Sequence, residues 1–323
     1  MKSQTALILL STYQGELYLA AQLESIIAQT HQNWLLLIRD DGSTDHTLDI
    51  LQQYQQRDAR ITLTHDNHGN LKPAQSFSVL MKKALEREEP YIFFADQDDV
   101  WVPEKLALFI AKFEYMSNQH SNETPLLIFS DLCVVNEKLQ TINPSYLKYE
   151  KLIPQIESPI HTLLVHNFVT GCAMAMNRAL LQVATPVPIE AIMHDWWCAL
   201  CVAVTGKMGF VQKATVLYRQ HGKNDTGSKG FYGKIYPLSQ LHSSLKRYSN
   251  SFEKRFSQAK KLAERLNKNN IHYQLISTYA GLLPQNRARR IVISSQLNLQ
   301  PTGISRKIGL LLYLLIEPWR KSR

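Results

Sequence analysis

Cysteine is scarce in this chain of 323 residues, and Cys133, Cys172, Cys198 and Cys201 are too irregularly spaced to form a disulfide framework. Cys198 and Cys201 make a CxxC, but it has no second pair and lies in an apolar helical run. That context reads as buried packing and not as a metal or redox centre. Apolar runs stop well short of the ~18 residues that a membrane-spanning helix needs. The opening MKSQTALILLSTY has neither the long apolar core nor the small-residue cleavage site of a secretory signal. A cytoplasmic location is therefore expected. Neither GxxxxGK[ST] nor GxGxxG occurs, so a nucleotide would have to be held without a classical phosphate loop. Internal repeats and low-complexity tracts are absent as well.

Acidic residues are scarce at one end only. Residues 230–323 hold 17 Lys and Arg against 3 Asp and Glu, a net of +14, whereas residues 1–229 hold 19 against 24, a net of −5. The total of +9 hides this division. A basic, helical C-terminal region can meet nucleic acid or an anionic membrane surface. Its last segment, IGLLLYLLIEPWRKSR from Ile308, combines an apolar block, Trp319 and flanking cations. Membrane-surface docking is the better reading, peripheral on the inner face of the cell membrane, and no nucleic-acid partner is expected.

What the chain does have is an acidic cluster behind a short apolar run. In FFADQDDVW, Asp96, Asp98 and Asp99 are brought to one point. Such carboxylates repel one another unless a cation sits among them, and hard cations such as Mg²⁺ or Mn²⁺ take carboxylate and phosphate oxygens. The cluster therefore reads as a metal and diphosphate site. Alternatively it is the acidic N-terminus of the helix that begins near Pro103, favoured by the helix dipole.

The surrounding pattern is alternating strand and helix. Strands are expected at Ala6–Leu10, Trp34–Ile38, Ile61–Thr64, Tyr91–Ala95, Leu126–Val135, Phe168–Met176 and Gly209–Tyr218. Helices are expected at Leu17–Thr30, Thr44–Gln56, Lys72–Glu86 and His194–Val204. Strand, helix, strand implies parallel βαβ units, whose ligands collect at the carboxyl ends of the strands. Thr12, Asp40, Asp41, Asp96 and Asp98 all fall there. Asp40 and Asp41 also have a local reading, because DDGSTD is a good turn and helix-cap sequence. The stretch from Gly222 to Gly233 is expected to be a mobile loop that closes over a bound diphosphate.

The succession STYQGELYLAAQLESIIAQTHQNW, LLIRDDGSTDHT, FFADQDDVW, HDWW and YRQHGKN resembles glycosyltransferase family 2, inverting enzymes of GT-A fold, over residues 5–225. The ADQDDVW, HDWW and YRQHG variants look most like bacterial rhamnosyltransferase-type members that build O-antigen and other cell-surface polysaccharides. The resemblance implies an α/β fold with a Rossmann-like, mixed but mainly parallel sheet flanked by helices. It divides the chain into a GT-A domain, 1–229, with a nucleotide-binding half (1–100) and an acceptor half (101–229), followed by the basic helical region 230–323.

It further implies that Thr12 and Tyr13 lie beside the nucleobase and that Asp41, with Asp40, contacts the base. Asp96 would face the ribose, Asp98 the metal, and Asp195 would be the catalytic base. His221 would complete the metal or diphosphate site. Asp99 is expected to cap the next helix. His194 replaces the commoner Glu before the aspartate, so its role is left open between orienting an acceptor and helix packing. Trp196 and Trp197 are either an apolar wall raising the pKa of Asp195 or core residues. The implied reaction moves a sugar from a nucleoside-diphosphate sugar to a saccharide or lipid-linked saccharide acceptor. The rival readings are a nucleotidyltransferase acting on sugar phosphates and a non-catalytic, membrane-recruited scaffold.

Overall fold

The computed structural model describes residues 4–121, 123–222, 238–282 and 284–315, with backbone alone for residues 238–251 and Ser305. Parallel strands β1 (Ala6–Thr12), β2 (Trp34–Asp40), β3 (Ile61–Thr64) and β4 (Tyr91–Ala95) alternate with α1 (Leu19–Ile27), α2 (Thr47–Arg57) and α3 (Lys72–Leu85). Then come β5 (Val100–Trp101), α4 (Lys105–Ser117), β6 (Leu126–Val135), β7 (Thr141–Asn143), α5 (Tyr146–Tyr149), α6 (Ile160–Leu163), β8 (Met174–Asn177), α7 (Arg178–Ala184), α8 (His194–Thr205) and β9 (Lys207–Arg219). Helices α9 (Leu238–Arg265), α10 (Tyr273–Ala280), α11 (Arg287–Gln296) and α12 (Ile304–Leu315) follow.

Among the described residues the strands form one nine-stranded sheet, ordered β3-β2-β1-β4-β8-β6-β9-β5, with β7 paired to β6. Pairing is parallel from β3 to β4 and between β6 and β9, and antiparallel where β8 joins β4 to β6. Strand residues alternate between two cores. Leu7 and Leu9 face a core with Phe77, Phe94 and Trp197, while Ile8 and Leu10 face one with Leu23, Phe93 and Phe109. Helices on both faces explain why the parallel strands read as unbroken apolar runs. Each such side chain, fully buried, contributes ~1.5–3 kcal/mol.

The register delivers the polar groups together. Thr12 pairs with Asp40 and Leu10 with Ala95, so the chain leaves β1, β2 and β4 along one edge, and Asp41 and Asp96 emerge on either side of the end of β1. The expected strand Phe168–Met176 is not continuous. Asn167 closes a turn on Val169 through both ends of its amide, at 3.0 and 2.6 Å, and Gly171–Ala173 form a 3-10 turn before β8.

The basic C-terminal helices pack into the first of the two cores. Phe252, Phe256, Ala259 and Leu262 lie on one face of α9 at helical spacing and are buried. Phe256 contacts the ring of Tyr279 at 4.8 Å, and Tyr279 Oη donates to Leu164 O at 2.8 Å. The guanidinium of Arg265 lies 4.8 Å from the ring of Trp197, so part of the region's charge is used in packing. Of the expected surface-docking segment, Ile308–Leu315 belongs to α12 and residues 316–323 lie outside the described residues, as does most of the expected loop from Gly222 to Gly233.

Candidate active site

A cleft of about 1060 Å³ opens at the carboxyl edge of the sheet and is lined by Thr12, Tyr13, Asp41, Asp96, Asp98, Asp195 and His221, among others. Seven of the eight expected site residues thus share one cavity. Asp40 does not line it. Its carboxylate accepts from Thr12 Oγ1 (2.9 Å), Gly42 N (3.1 Å), Ser43 N (2.7 Å) and Ser43 Oγ (2.6 Å), so the local turn consumes its capacity.

Asp41 is fixed from beneath. It accepts from Leu71 N at 2.7 Å and Lys72 N at 2.8 Å, and it pairs with the buried guanidinium of Arg39. Arg39 also holds Asp66 through Nε at 2.7 Å and Nη2 at 3.1 Å, which drives the Asp66 carboxyl well below its ordinary range. This ties the loop after β3 to the end of β2. Tyr13 is held by a two-way backbone clamp from Gln97, both bonds 2.8 Å, and the residue is 45% exposed.

Asp98 Oδ2 lies 2.8 Å from His221 Nε2, and the His221 ring sits against Tyr18 with centroids 4.9 Å apart. Arg219 Nε donates to Asp98 O at 2.8 Å, and Arg219 N donates to Asp99 Oδ1 at 3.1 Å. Asp99 therefore binds the end of β9. It does not cap α4, whose N-cap residue Glu104 makes no side-chain cap bond. Burial raises Asp99 well above the usual carboxylate range, with Asp98 and Asp96 adding repulsion.

Asp96 is pushed up to about 7 by burial and by the neighbouring Asp98 and Asp195. Below it, Asp96, Asp99 and Cys172 bring one potential ligand atom each within 4.8 Å of one another. Lys105 is wholly buried beside them, its Nζ 3.9 Å from the Trp101 ring and bonded to Cys172 O. Burial lowers its pKa to about 7, against the pull of the nearby acids.

Asp195 occupies the first turn of α8. Oδ1 accepts from Asn167 Nδ2 at 3.1 Å and from Trp196 N, while Oδ2 accepts from Gly171 N at 2.9 Å. Oδ2 keeps a lone pair for a proton. Burial pushes this carboxyl up to about 7, although the N–H groups of Trp196 and Gly171 pull it the other way. The two tryptophans are anchored in the core: Trp196 Nε1 donates to Leu163 O at 2.6 Å and Trp197 Nε1 to Ala184 O at 2.8 Å.

His194 is packed between rings, with centroids 4.0 Å from Phe77 and 5.4 Å from Phe94, and neither ring nitrogen has a hydrogen-bond partner among the described residues. Burial lowers its pKa to about 3. Its ring is thus packed as a neutral group, while the residue also lines the cleft next to Asp195.

Several site residues carry no local signal in the sequence. Asn167 and Gly171 position Asp195 from 28 and 24 positions away, and Arg39 acts from within an apolar strand. Arg219 and Gln97 do lie inside conspicuous motifs, YRQHG and ADQDD, which is the signal that could have found them.

The sequence model of glycosyl transferase family 2 matches residues 7–183. The chain is 29% identical over 223 residues to the uncharacterized glycosyltransferase alr2836 of Nostoc sp. (strain PCC 7120), covering 68% of this chain and 65% of that protein. It is 26% identical over 238 residues to the dTDP-rhamnosyl transferase RfbG of Shigella flexneri, covering 68% and 74%. Over 176 residues it is 32% identical to the UDP-Glc:alpha-D-GlcNAc-diphosphoundecaprenol beta-1,3-glucosyltransferase WfgD of Escherichia coli, covering 54% and 61%. The chain thus spans less than two thirds of the Nostoc and Escherichia proteins.

Among solved structures, S. aureus TarS 1-349 in complex with UDP-GlcNAc superposes with a TM-score of 0.55 at 14% identity, covering 96% of this chain and 79% of that one. The mannosyltransferase PcManGT from Pyrobaculum calidifontis, in complex with GDP-Man and Mn²⁺, gives 0.52 at 13%, covering 90% and 73%. At these identities the likeness is one of fold, and the fold is of the expected GT-A type.

Proposed function

Because the chain belongs to glycosyl transferase family 2, we propose that it transfers a sugar, with inversion, from a nucleoside-diphosphate sugar to a saccharide or lipid-linked saccharide in cell-surface polysaccharide synthesis. The observation that carries the proposal is the presence in one cleft of the Asp98–His221 pair and of Asp195, whose Oδ2 keeps acceptor capacity.

Thr12, Tyr13 and Asp41 form the base end of the cleft, and Asp96 faces the ribose. Asp98 and His221 fit a Mg²⁺ or Mn²⁺ ion. Adjacent ligands of an octahedral ion at ~2.1 Å stand about 3 Å apart, and Asp98 Oδ2 and His221 Nε2 are separated by 2.8 Å. The carboxylates crowded around them supply the negative charge that a cation relieves. When bound, the ion acts as a Lewis acid toward the diphosphate leaving group.

The chain's own residues do the rest. Asp195 Oδ2 accepts the proton of the attacking acceptor hydroxyl as the new bond to the anomeric carbon forms and the nucleoside diphosphate departs with its electron pair. Asn167, Gly171 N–H and Trp196 N–H hold the carboxylate in place, and the neutral His194 supports it without competing for the proton. A base near neutrality matches proton transfer at physiological pH.

The activity of the Shigella relative makes dTDP-rhamnose the first donor to test. The C-terminal region, with its 17 cations and 3 acids, docks the enzyme on an anionic membrane surface from the cytoplasmic side. No helix among the described residues is long and apolar enough to cross a membrane. Incubation with a panel of nucleotide sugars and Mn²⁺ tests the reaction class. Release of a nucleoside diphosphate with glycosylated product supports transfer, pyrophosphate release identifies a nucleotidyltransferase, and binding without turnover identifies a scaffold.

A further inference from the structure

Behind the acceptor end of the cleft lies a second cavity of about 600 Å³, between α11, α12 and the segment after α5. Its walls are mainly aliphatic, from Ile153, Ile291, Leu299, Leu310, Leu311 and Leu314, and Lys307 lies on its lining. Beyond the cavity lining, α12 leaves Ile304, Ile308, Leu312 and Leu315 exposed, the first at 77%. So many solvent-facing aliphatic side chains on one helix mark a surface that meets something apolar.

The two cavities are lined by consecutive residues. Leu152 lines the cleft and the next residue, Ile153, lines the second cavity. Thr302, on the second cavity, lies with its Oγ1 2.8 Å from His166 Nε2. The residue after His166 is Asn167, which holds Asp195. The apolar cavity is therefore built against the Asp195 side of the site, away from the end that holds Thr12, Tyr13 and Asp41. Arg306 Nη1 fixes this junction by donating to Glu150 O at 3.0 Å.

We propose that this cavity binds the hydrocarbon chain of a lipid-linked acceptor, whose phosphate meets Lys307 at the rim and whose glycan reaches Asp195. The proposal rests on the glycosyltransferase reading of the cleft and names the acceptor class within it. Three observations select this occupant: the aliphatic lining, the cation placed at its edge, and the position one residue away from the acceptor side of the catalytic cleft. An apolar chain in an apolar cavity gains by leaving water, and a neighbouring cation favours the phosphate that a lipid-linked sugar carries.

The test is titration of the full chain with farnesyl diphosphate and with inorganic pyrophosphate, in EDTA so that the diphosphate gains nothing from a metal in the cleft. The wild-type chain should bind farnesyl diphosphate at least about tenfold more tightly than pyrophosphate. Leu310→Trp, which fills the cavity, should weaken farnesyl diphosphate about tenfold while leaving the melting temperature and Mn²⁺-dependent nucleoside-diphosphate binding unchanged. Lys307→Glu, at an exposed position that does not disturb packing, should weaken it as well.

Equal affinity for the two probes, or unchanged affinity in both variants, overturns the proposal. So does binding to vesicles of phosphatidylcholine and phosphatidylglycerol without binding of farnesyl diphosphate, which would make the face a bilayer contact only. Selective farnesyl diphosphate binding in a chain that fails to bind nucleoside diphosphate supports the cavity and removes the reading of the cleft.

Discussion

His221 Nε2 lies 2.8 Å from Asp98 Oδ2 across 123 positions of sequence, because β9 pairs with both β5 and β6 and returns Arg219 beneath the Asp98–Asp99 turn. The pair joins the acidic motif after β4 to the last strand of the sheet. If it is a cation site, Mn²⁺ with a nucleoside diphosphate should stabilise the protein by about 2.7 kcal/mol at a hundredfold excess over Kd. Asp98→Ala and His221→Ala should each abolish the Mn²⁺-dependent part of the thermal shift. An unchanged shift in both variants would place the ion elsewhere.

The pH profile follows from Asp195. Its carboxyl is raised to about 7, so the proton-accepting form is lost as pH falls through that value. Turnover under donor saturation should drop about tenfold per pH unit on the acid side. His194, with a pKa near 3, stays neutral throughout and should leave no inflection. A rate flat from pH 5 to 8 would rule out this carboxyl as the base.

Gly171 is a point of close approach. A Cβ built there would come within 2.9 Å of His194 Nε2 and 3.5 Å of Asp195 Oδ2. Gly171→Ala should displace the base by a few tenths of an ångström and lower kcat, by up to about a hundredfold for a shift approaching 1 Å. The KM for donor should change little, since the opposite end of the cleft is untouched. A variant with wild-type kcat would show that the position of Asp195 is not critical.

Arg39 supports the base end through two carboxylates. Arg39→Ala strands Asp41, 3% exposed, and Asp66 without their cation. Breaking one side of a buried ionic network costs ~3–5 kcal/mol. Urea unfolding should show a loss of that order together with weaker nucleotide binding. Wild-type stability would mean that the network is replaceable by solvent.

Much of this was legible in the sequence. Ile61–Thr64, Tyr91–Ala95 and Leu126–Val135 are observed at the expected bounds because buried apolar runs ending in polar turns leave few alternatives. The acidic motif and HDWW pointed to one shared cleft, since residues at strand ends and helix starts are placed by the fold itself. Asp40 had two readings in the sequence, because a carboxylate can serve its own turn as readily as a ligand, and the four hydrogen bonds it accepts favour the turn. The expected capping role of Asp99 failed for a long-range reason, the arrival of Arg219 from β9. The basic C-terminal region read as a surface element, yet Phe252, Phe256 and Leu262 bury one face of α9 in the main core. A helical hydrophobic stripe announces burial but does not name its partner.

The most direct test of the central claim is Asp195→Asn, assayed for nucleotide-sugar binding and for transfer on the same preparation. The substitution keeps the shape of the side chain but removes the proton acceptor at Oδ2. The account predicts donor binding within about twofold of wild type and transfer lowered by ~10²–10⁴. Full turnover by the variant would remove Asp195 as the base and with it the mechanism proposed for this cleft.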